Sequence, residues 1–509
     1  MRQILQSLLF LSAVIFGLSC HSRAAWAGNT FYIDYSNGSD SNSGAGKTSA
    51  FQHAPGMQGC ASKCAAVQPK AGDSYILRGG VTWPNAALGW NWQWAGSSAQ
   101  PMYIGVDQTW FAGSSWARPV LNGGGKIVAG NNDFINLQGS PSYVTIDNIE
   151  FTGLYWTGSP AYGSAIYIEA NGSTNIAVTN SYFHGWSHTT ANTTDAGRGI
   201  QGDTGSPYNA GSYVANCVFD GTDTDGVSFG AIYMWPDVHT SVFRNMANGI
   251  VGRLTLVHDN LVEYISNSFD PGTHSNGVEN TGSGGLWMYN NVLDNISAAV
   301  SVLNSITPGG SDYYYNNLMF ATVAIPLTLD TDLGGTQNST EYIYNNTFQG
   351  SGVVVRFEDR GNGPVGSGVV QNNHFISDSK PVCYNDSALG CVTVTNPTHS
   401  NNITMTNATA QKQSYLSSNY YSPTKPKDPT VGSGLDFSSL CQSQLAAMCD
   451  ATTLGVTETP SHTAQSPARM PNARPNGTPP WNVGAYEFEG NLNAPGGLTA
   501  MAGGENHGH

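Results

Sequence analysis

DYYYNNLMF (312–320), EYIYNNTFQG (341–350) and GVVQNNHFIS (368–377) repeat one short pattern three times. Each opens with a few strand-forming residues, ends in Asn-Asn, and resumes with apolar residues. No apolar spacing of three or four residues runs through them, so they are not helices. Asn tolerates the left-handed backbone conformation that a sharp corner demands. Asn side chains stacked above one another can also hydrogen-bond from one layer to the next.

The same unit, less regular, extends upstream. It is present in YVTIDNIEFTG (143–153), IAVTNSYFHGW (176–186), YVANCVFDG (213–221), LTLVHDNLVEY (254–264) and LWMYNNVLDN (286–295). A second strand in successive units begins at Ile166, Ile200, Val227, Ile250, Val278, Val300, Ile325 and Val354, at intervals of 22 to 34 residues. Units this short cannot bury their apolar faces alone, and stacking buries them. Leucine-rich repeats would need regular Leu spacing, and propeller blades repeat at about 40 residues or more. The expected fold class is all-β, a parallel β-helix.

Composition agrees. The chain has 509 residues, 61 of them Gly, with 24 Tyr, 18 Phe and 12 Trp. So many aromatics exclude a disordered chain, and so many glycines exclude a helical one. With 19 Lys+Arg against 34 Asp+Glu, the net charge is −15, which offers nucleic acid little attraction. Arg2, the apolar run 8–18 and Ala25-Trp26-Ala27 form a signal-peptide pattern, with cleavage expected after Ala27. No later run is apolar enough to span a membrane. In the exported chain, local pairing joins Cys60 to Cys64, Cys383 to Cys391 and Cys441 to Cys449. Cys217 is left as a buried small hydrophobe.

The opening FYIDYSNGSDSNSGAGKTSAFQ (31–52) with PKAGDSYILRGGVTW (69–83) resembles the N-terminal cap of secreted right-handed parallel β-helix proteins of the pectate-lyase-like superfamily. WNVGAYEFEG (481–490) resembles their closing strand. The resemblance implies a right-handed single-stranded helix with an N-terminal cap. Its expected parts are a signal peptide (1–27), the cap and first coils (28–115), the helix with C-terminal coils and closing strand (116–488), and a flexible tail (489–509). That superfamily holds lyases, hydrolases, epimerases, esterases and non-catalytic proteins, so activity rests on the residues.

Successive coils lie about 4.8 Å apart, so aligned outward residues form columns. Aligned on the second-strand residues, these columns gather Gln201, Glu279, Asp203, Arg253, Arg198, Asn276, Asp223, Asp225 and His274, concentrated between about 196 and 281. Asp225 and Glu279 fall two coils apart, about 9–10 Å, near the separation of an inverting glycosidase pair. They are the expected catalytic carboxyls, with Asp223 or Asp225 against Asp203, one coil apart and nearer the spacing of a retaining pair, left as the alternative. His274 and Arg253 would orient substrate or tune the carboxyls, supported by Asp223 and Asp270. Arg198, Gln201, Asp203, Asn276, Tyr264, Trp156, Trp186 and Trp235 are expected to bind substrate. For the three Trp, groove lining and packing weigh equally, whereas Trp83, Trp90, Trp92 and Trp94 read as a plug. TDTDGV (222–227) resembles the Asn-Thr-Asp-Gly signature of polygalacturonase-type hydrolases, with Asp225 at the catalytic position. The next coil, MANGIVG (246–252), lacks their Asp-Asp pair, and their Gly-His-Gly is missing. FDPGTHSNGVE (269–279) echoes the Asp-Pro-His motif of alginate epimerases with two residues inserted.

The expectation is a secreted, monomeric glycoside hydrolase acting on an extracellular polysaccharide. It has no nucleic-acid partner, no membrane span and no required cofactor. The competing reading of the acids is turn capping or a structural Ca²⁺. A lyase or epimerase with a His or Arg base is the alternative chemistry, and a non-catalytic glycan-binding surface protein the alternative class. No Lys occurs between 127 and 379, and an acidic surface repels an anionic polymer.

Overall fold

The structure is a computed structural model. It describes residues 28–488 apart from 158–164, 189–196, 204, 206–207, 225–228, 267, 269–274, 283, 298–299, 321–322, 443–444, 452–455, 466–471 and 475–479. Three long sheets, each with every strand parallel to its neighbours, make the body. Sheet A stacks 13 strands from Thr30–Ile33 to Val394–Ser400, sheet B 12 from Thr82–Pro84 to Ile403–Met405, and sheet C 11 from Trp90–Trp92 to Val382–Cys383. Each full coil contributes one strand to A, then B, then C, and the next coil lies directly upon it; Thr30–Ile33 adds to A alone, and the last turn adds to A and B alone. This is the expected parallel β-helix.

The Asn-Asn corners do both things asked of them. The first Asn of each pair, Asn290, Asn316, Asn345 and Asn372, has φ between 52° and 58°, turning the chain from sheet A into sheet B. The second points inward and forms a ladder. Asn291 Oδ1 accepts from the Asn260 backbone N–H at 3.1 Å and from Asn260 Nδ2 at 3.0 Å, while Asn291 Nδ2 donates to the Val257 carbonyl at 2.9 Å. Asn317, Asn346, Asn373 and Asn402 repeat these bonds coil after coil. In earlier coils Ser181, Cys217 and Ser241 hold the same position, where the Cys217 N–H donates to Ser241 Oγ at 3.1 Å. Cys217 is fully buried, as expected, and the three other cysteine pairs are bonded locally.

The interior is one apolar cluster running the length of the solenoid. Phe151, Phe183, Phe219 and Phe243 stack along sheet B at 4.4 to 5.1 Å between ring centroids. Trp83, Trp90 and Trp92 are buried at the N-terminal end, as a plug requires. Beyond Met405 the chain turns back instead of adding coils. Phe437, Met448 and Trp481 cover Tyr315 and Tyr344 of sheet A, Val456 and Ala464 cover Val218 and Val242 of sheet B, and Ala485 and Tyr486 cover Val292 and Leu318. Residues 481–488 form no strand, because this return segment lies across the outside of the coils. Arg118 fastens it by donating to the Ser461 and His462 carbonyls, and Arg244 by pairing with Glu458.

Candidate functional site

The outer faces of sheets A and B are partly roofed by the return segment. Among the described residues, no apolar cluster covers the outer face of sheet C. Its register fixes which side chains share that face. Ile168, Ile200, Ile232, Ile250, Val278, Val302 and Leu327 form the inward column. The sequence alignment is right at Ile200, Ile250 and Val278. It is two residues early at Ile166, Val300 and Ile325, because those apolar residues occupy an outward position, and one residue early at Val354, where the column continues at Val355.

With the register corrected, one outward column reads Asn136, Glu169, Gln201, Tyr233, Val251, Glu279 and Leu303. Three residues before each lie Asp133, Ile166, Arg198, Gly230, Asn248, Asn276 and Val300. The two columns touch. Asn276 Nδ2 donates to Glu279 Oε2 at 2.8 Å, and the Asn276 N–H donates to Asn248 Oδ1 at 3.0 Å. The Arg198 guanidinium lies 3.6 Å from the centre of the Tyr233 ring one coil on, a cation–π contact that holds it flat. Polar groups span six coils and then give way to Val300 and Leu303.

At the N-terminal end of this strip are two carboxyls that sequence columns drawn from Ile166 did not bring together. Asn136 Nδ2 donates both to Asp133 Oδ2 at 3.0 Å and to Glu169 Oε2 at 2.9 Å. Asp133 is almost fully buried. Burial first, then the hydrogen bond and charge of Glu169, push its pKa up to about 9, against the opposing bond from Asn136. Burial and the neighbouring carboxyl thus favour the protonated form of Asp133 at neutral pH. Asp133 and Asn136 line a cavity of about 90 Å³ with Gly89, Asn91, Asn131 and Gln138. The signal in the sequence was the Asp-x-x-Asn spacing of DFIN (133–136), which Asn276 and Glu279 repeat in reverse order.

The other expected site residues divide. Asp225, Asp270 and His274 lie outside the described residues. Gln201, Arg198, Asn276 and Glu279 share the face. Asp203 and Arg253 follow its strands in the turn toward sheet A, Arg253 lying 4.5 Å from the Tyr208 ring centre. Asp223 is not on sheet C at all. It accepts from His184 Nδ1 at 2.7 Å and from the Gly185 N–H at 3.0 Å, beside sheet B. Tyr264 is half-exposed on sheet B with φ 53°. Trp156, Trp186 and Trp235 are buried to 1% exposure or less, so all three pack and none lines a groove. Trp186 stacks on Phe229 at 3.7 Å.

His184 is held between carboxylates, its Nε2 lying 3.1 Å from Glu150. Burial opposes its charge, yet the bonds to Asp223 and Glu150 outweigh burial and lift its pKa to about 9. An imidazolium favoured at neutral pH is a poor base there, and this His braces sheet B.

Comparison with known proteins follows the fold. No family model and no curated protein sequence matches the chain. Among solved structures, a rhamnogalacturonan lyase overlaps 74% of this chain and 87% of its own at 14% identity, with a TM-score of 0.42. The GH136 lacto-N-biosidase from Eubacterium ramulus overlaps 73% of this chain and 68% of its own at 11% identity, with a TM-score of 0.41. Pectate lyase Pel9A overlaps 91% of this chain and 98% of its own at 13% identity, with a TM-score of 0.39. These likenesses concern the fold. Three bonded cysteine pairs accord with an extracellular protein, and no helix among the described residues is long and apolar enough to cross a membrane.

Proposed function

We propose that the protein is an extracellular glycan-cleaving enzyme, a glycoside hydrolase, whose substrate lies along the outer face of sheet C. The observation that carries this reading is the Asp133–Glu169 pair, a buried carboxyl of raised pKa and a second carboxyl bridged to it by one amide, at the end of a six-coil polar strip. Glycosidic cleavage needs that division of labour, an acid to protonate the leaving oxygen and a carboxylate to act at the ring carbon. Asp133 is the acid and Glu169 the base or nucleophile. Gln201, Arg198 and Tyr233 lie on the coils immediately following and would hold sugar hydroxyls, with the flat Arg–Tyr stack as a platform. Asn276 and Glu279 lie four coils beyond Glu169, about 19 Å at the coil spacing. In this reading they form a separate polar station.

The test is incubation with a panel of neutral and uronic polysaccharides, following reducing ends and the ultraviolet absorbance of unsaturated uronates. Reducing ends alone support hydrolysis, and the absorbance would replace it with a lyase. Binding without cleavage would make the protein a glycan-binding module. Glu169→Gln should lower kcat by at least about a hundredfold, the scale of a lost general acid or base. If Glu169→Gln keeps its activity and Glu279→Gln loses it, the catalytic centre lies at the other end of the strip.

A further inference from the structure

Away from the polar strip of sheet C, the outer face of sheet A carries a row of stacked rings. Tyr213, His239, His258, Tyr289 and Tyr315 follow one another, with His239 and His258 at 4.7 Å between centroids and 8° between planes. Asp237 and His239 are two residues apart on one strand and so face the same way. His258 is the partner of His239 on the next strand. One ligand atom from each of Asp237, His239 and His258 lies within 4.8 Å of the other two. Among the described residues no other group of three His, Cys, Asp or Glu converges in this way.

We propose that Asp237, His239 and His258 form a transition-metal site that takes a divalent ion of the Zn²⁺ class and clips two adjacent coils together. Two residues at i and i+2 plus a cross-strand neighbour are the arrangement a sheet uses to aim three ligands at one point. Two imidazoles and one carboxylate suit Zn²⁺ or Co²⁺ better than Ca²⁺ or Mg²⁺, which prefer all-oxygen sets.

Two further details fit. Asp237 Oδ1 is buried without a hydrogen-bond partner, a costly state that a bound cation relieves. His258 Nδ1 lies 2.7 Å from Asp259 Oδ2. A carboxylate only accepts, so Nδ1 donates there and Nε2 is the nitrogen left to face a metal, the outer-shell support typical of a ligating His.

The site as seen is open rather than contracted. Ligand atoms around tetrahedral zinc sit about 3.3 Å apart, given Zn–N near 2.0 Å. One imidazole must therefore turn out of the parallel stack, and a water completes the shell.

The experiment uses the full chain, stripped with a chelator and titrated with Co²⁺ and then Zn²⁺ at neutral pH. Wild type should bind one ion more per chain than His239→Gln or His258→Gln, each of which weakens that site at least about tenfold. The tail residues His507 and His509 are common to all variants and cancel. Co²⁺ at the site should give the intense visible bands of a four- or five-coordinate centre, and Zn²⁺ should raise the Tm of wild type but not of His258→Gln. Should a variant fail to fold, the wild-type Co²⁺ spectrum still decides. Only weak octahedral bands, or equal stoichiometry in wild type and variants, would overturn the site.

Discussion

Asn317 shows how much one side chain does in this fold. Its Oδ1 accepts from the Asn291 N–H and Nδ2, and its Nδ2 donates to the Met288 carbonyl at 2.8 Å and to Asn346 Oδ1 at 3.0 Å. Asn317→Ala strands a buried N–H and a buried carbonyl, so a loss of about 2–6 kcal/mol is expected in denaturant unfolding, at about 1–3 kcal/mol per orphaned group. Asn317→Ser should lose less, because Ser181 and Ser241 already serve the ladder. In the corner row beside the ladder, Asn345, at φ 52° and with its side-chain amide unpartnered, should tolerate Gly and resist Val, which cannot adopt that conformation cheaply. Asp133 gives a prediction of opposite sign. Its folded pKa is raised, so the stability tied to its proton is complete below the unfolded value and is lost as pH rises toward about 9. Asp133→Asn keeps the shape and can still donate to Glu169. It should raise Tm at neutral pH by several degrees, flatten the alkaline decline, and abolish turnover. A variant less stable than wild type at pH 7 would mean that Asp133 is ionised there.

At the scale of elements, one hairpin of the return segment is held by few but charged contacts. Arg244 gathers Asp220 at 2.8 Å, Glu263 at 3.5 Å and Glu458, the last on the short hairpin of Thr457–Glu458 and Ala464–Gln465. Little apolar area from this hairpin is buried beyond Val456 and Ala464. Arg244→Ala should therefore speed amide exchange across 456–465 while leaving the ladder strands protected, since local opening follows local contact density. Uniform protection across both would show the hairpin to be part of the cooperative core. The return path also explains why the end of the chain misled. Trp481 and Tyr486 look like strand residues, yet they are apolar because they cover Tyr315, Tyr344, Val292 and Leu318 from outside. Burial against a sheet and burial within one leave the same composition.

Over the whole molecule, burial outweighs any counter-charge at several acids. Glu341 is fully buried with both oxygens unpartnered, and burial, then Asp312, lifts its pKa well above the carboxylate range. Burial raises Asp294 to about 7 and Asp237 to about 6. Each raised acid contributes stability that fades as pH rises. Asp107, Asp220 and Asp223, lowered by their partners, contribute stability that fades as pH falls. Tm should therefore peak in mildly acidic solution, about pH 5–6, and fall steadily toward about pH 9. A flat or rising profile would contradict the burial of these acids, and Glu341→Gln should remove part of the alkaline decline. The repeat, the Asn corners, the cysteine pairing and the plug of Trp83, Trp90 and Trp92 were legible in the residues, because each depends on local backbone preference or on near neighbours. Column membership was not. Turns of unequal length separate the strands, so Ile166 and Ile168 compete for one place, and only the hydrogen-bonded register chooses. That choice brings Asp133 to Glu169, moves Asp223 to sheet B and buries Trp156, Trp186 and Trp235. The sequence by itself determined that this chain coils; tertiary structure decided which carboxyls meet, because contacts between coils depend on register and not on distance along the chain.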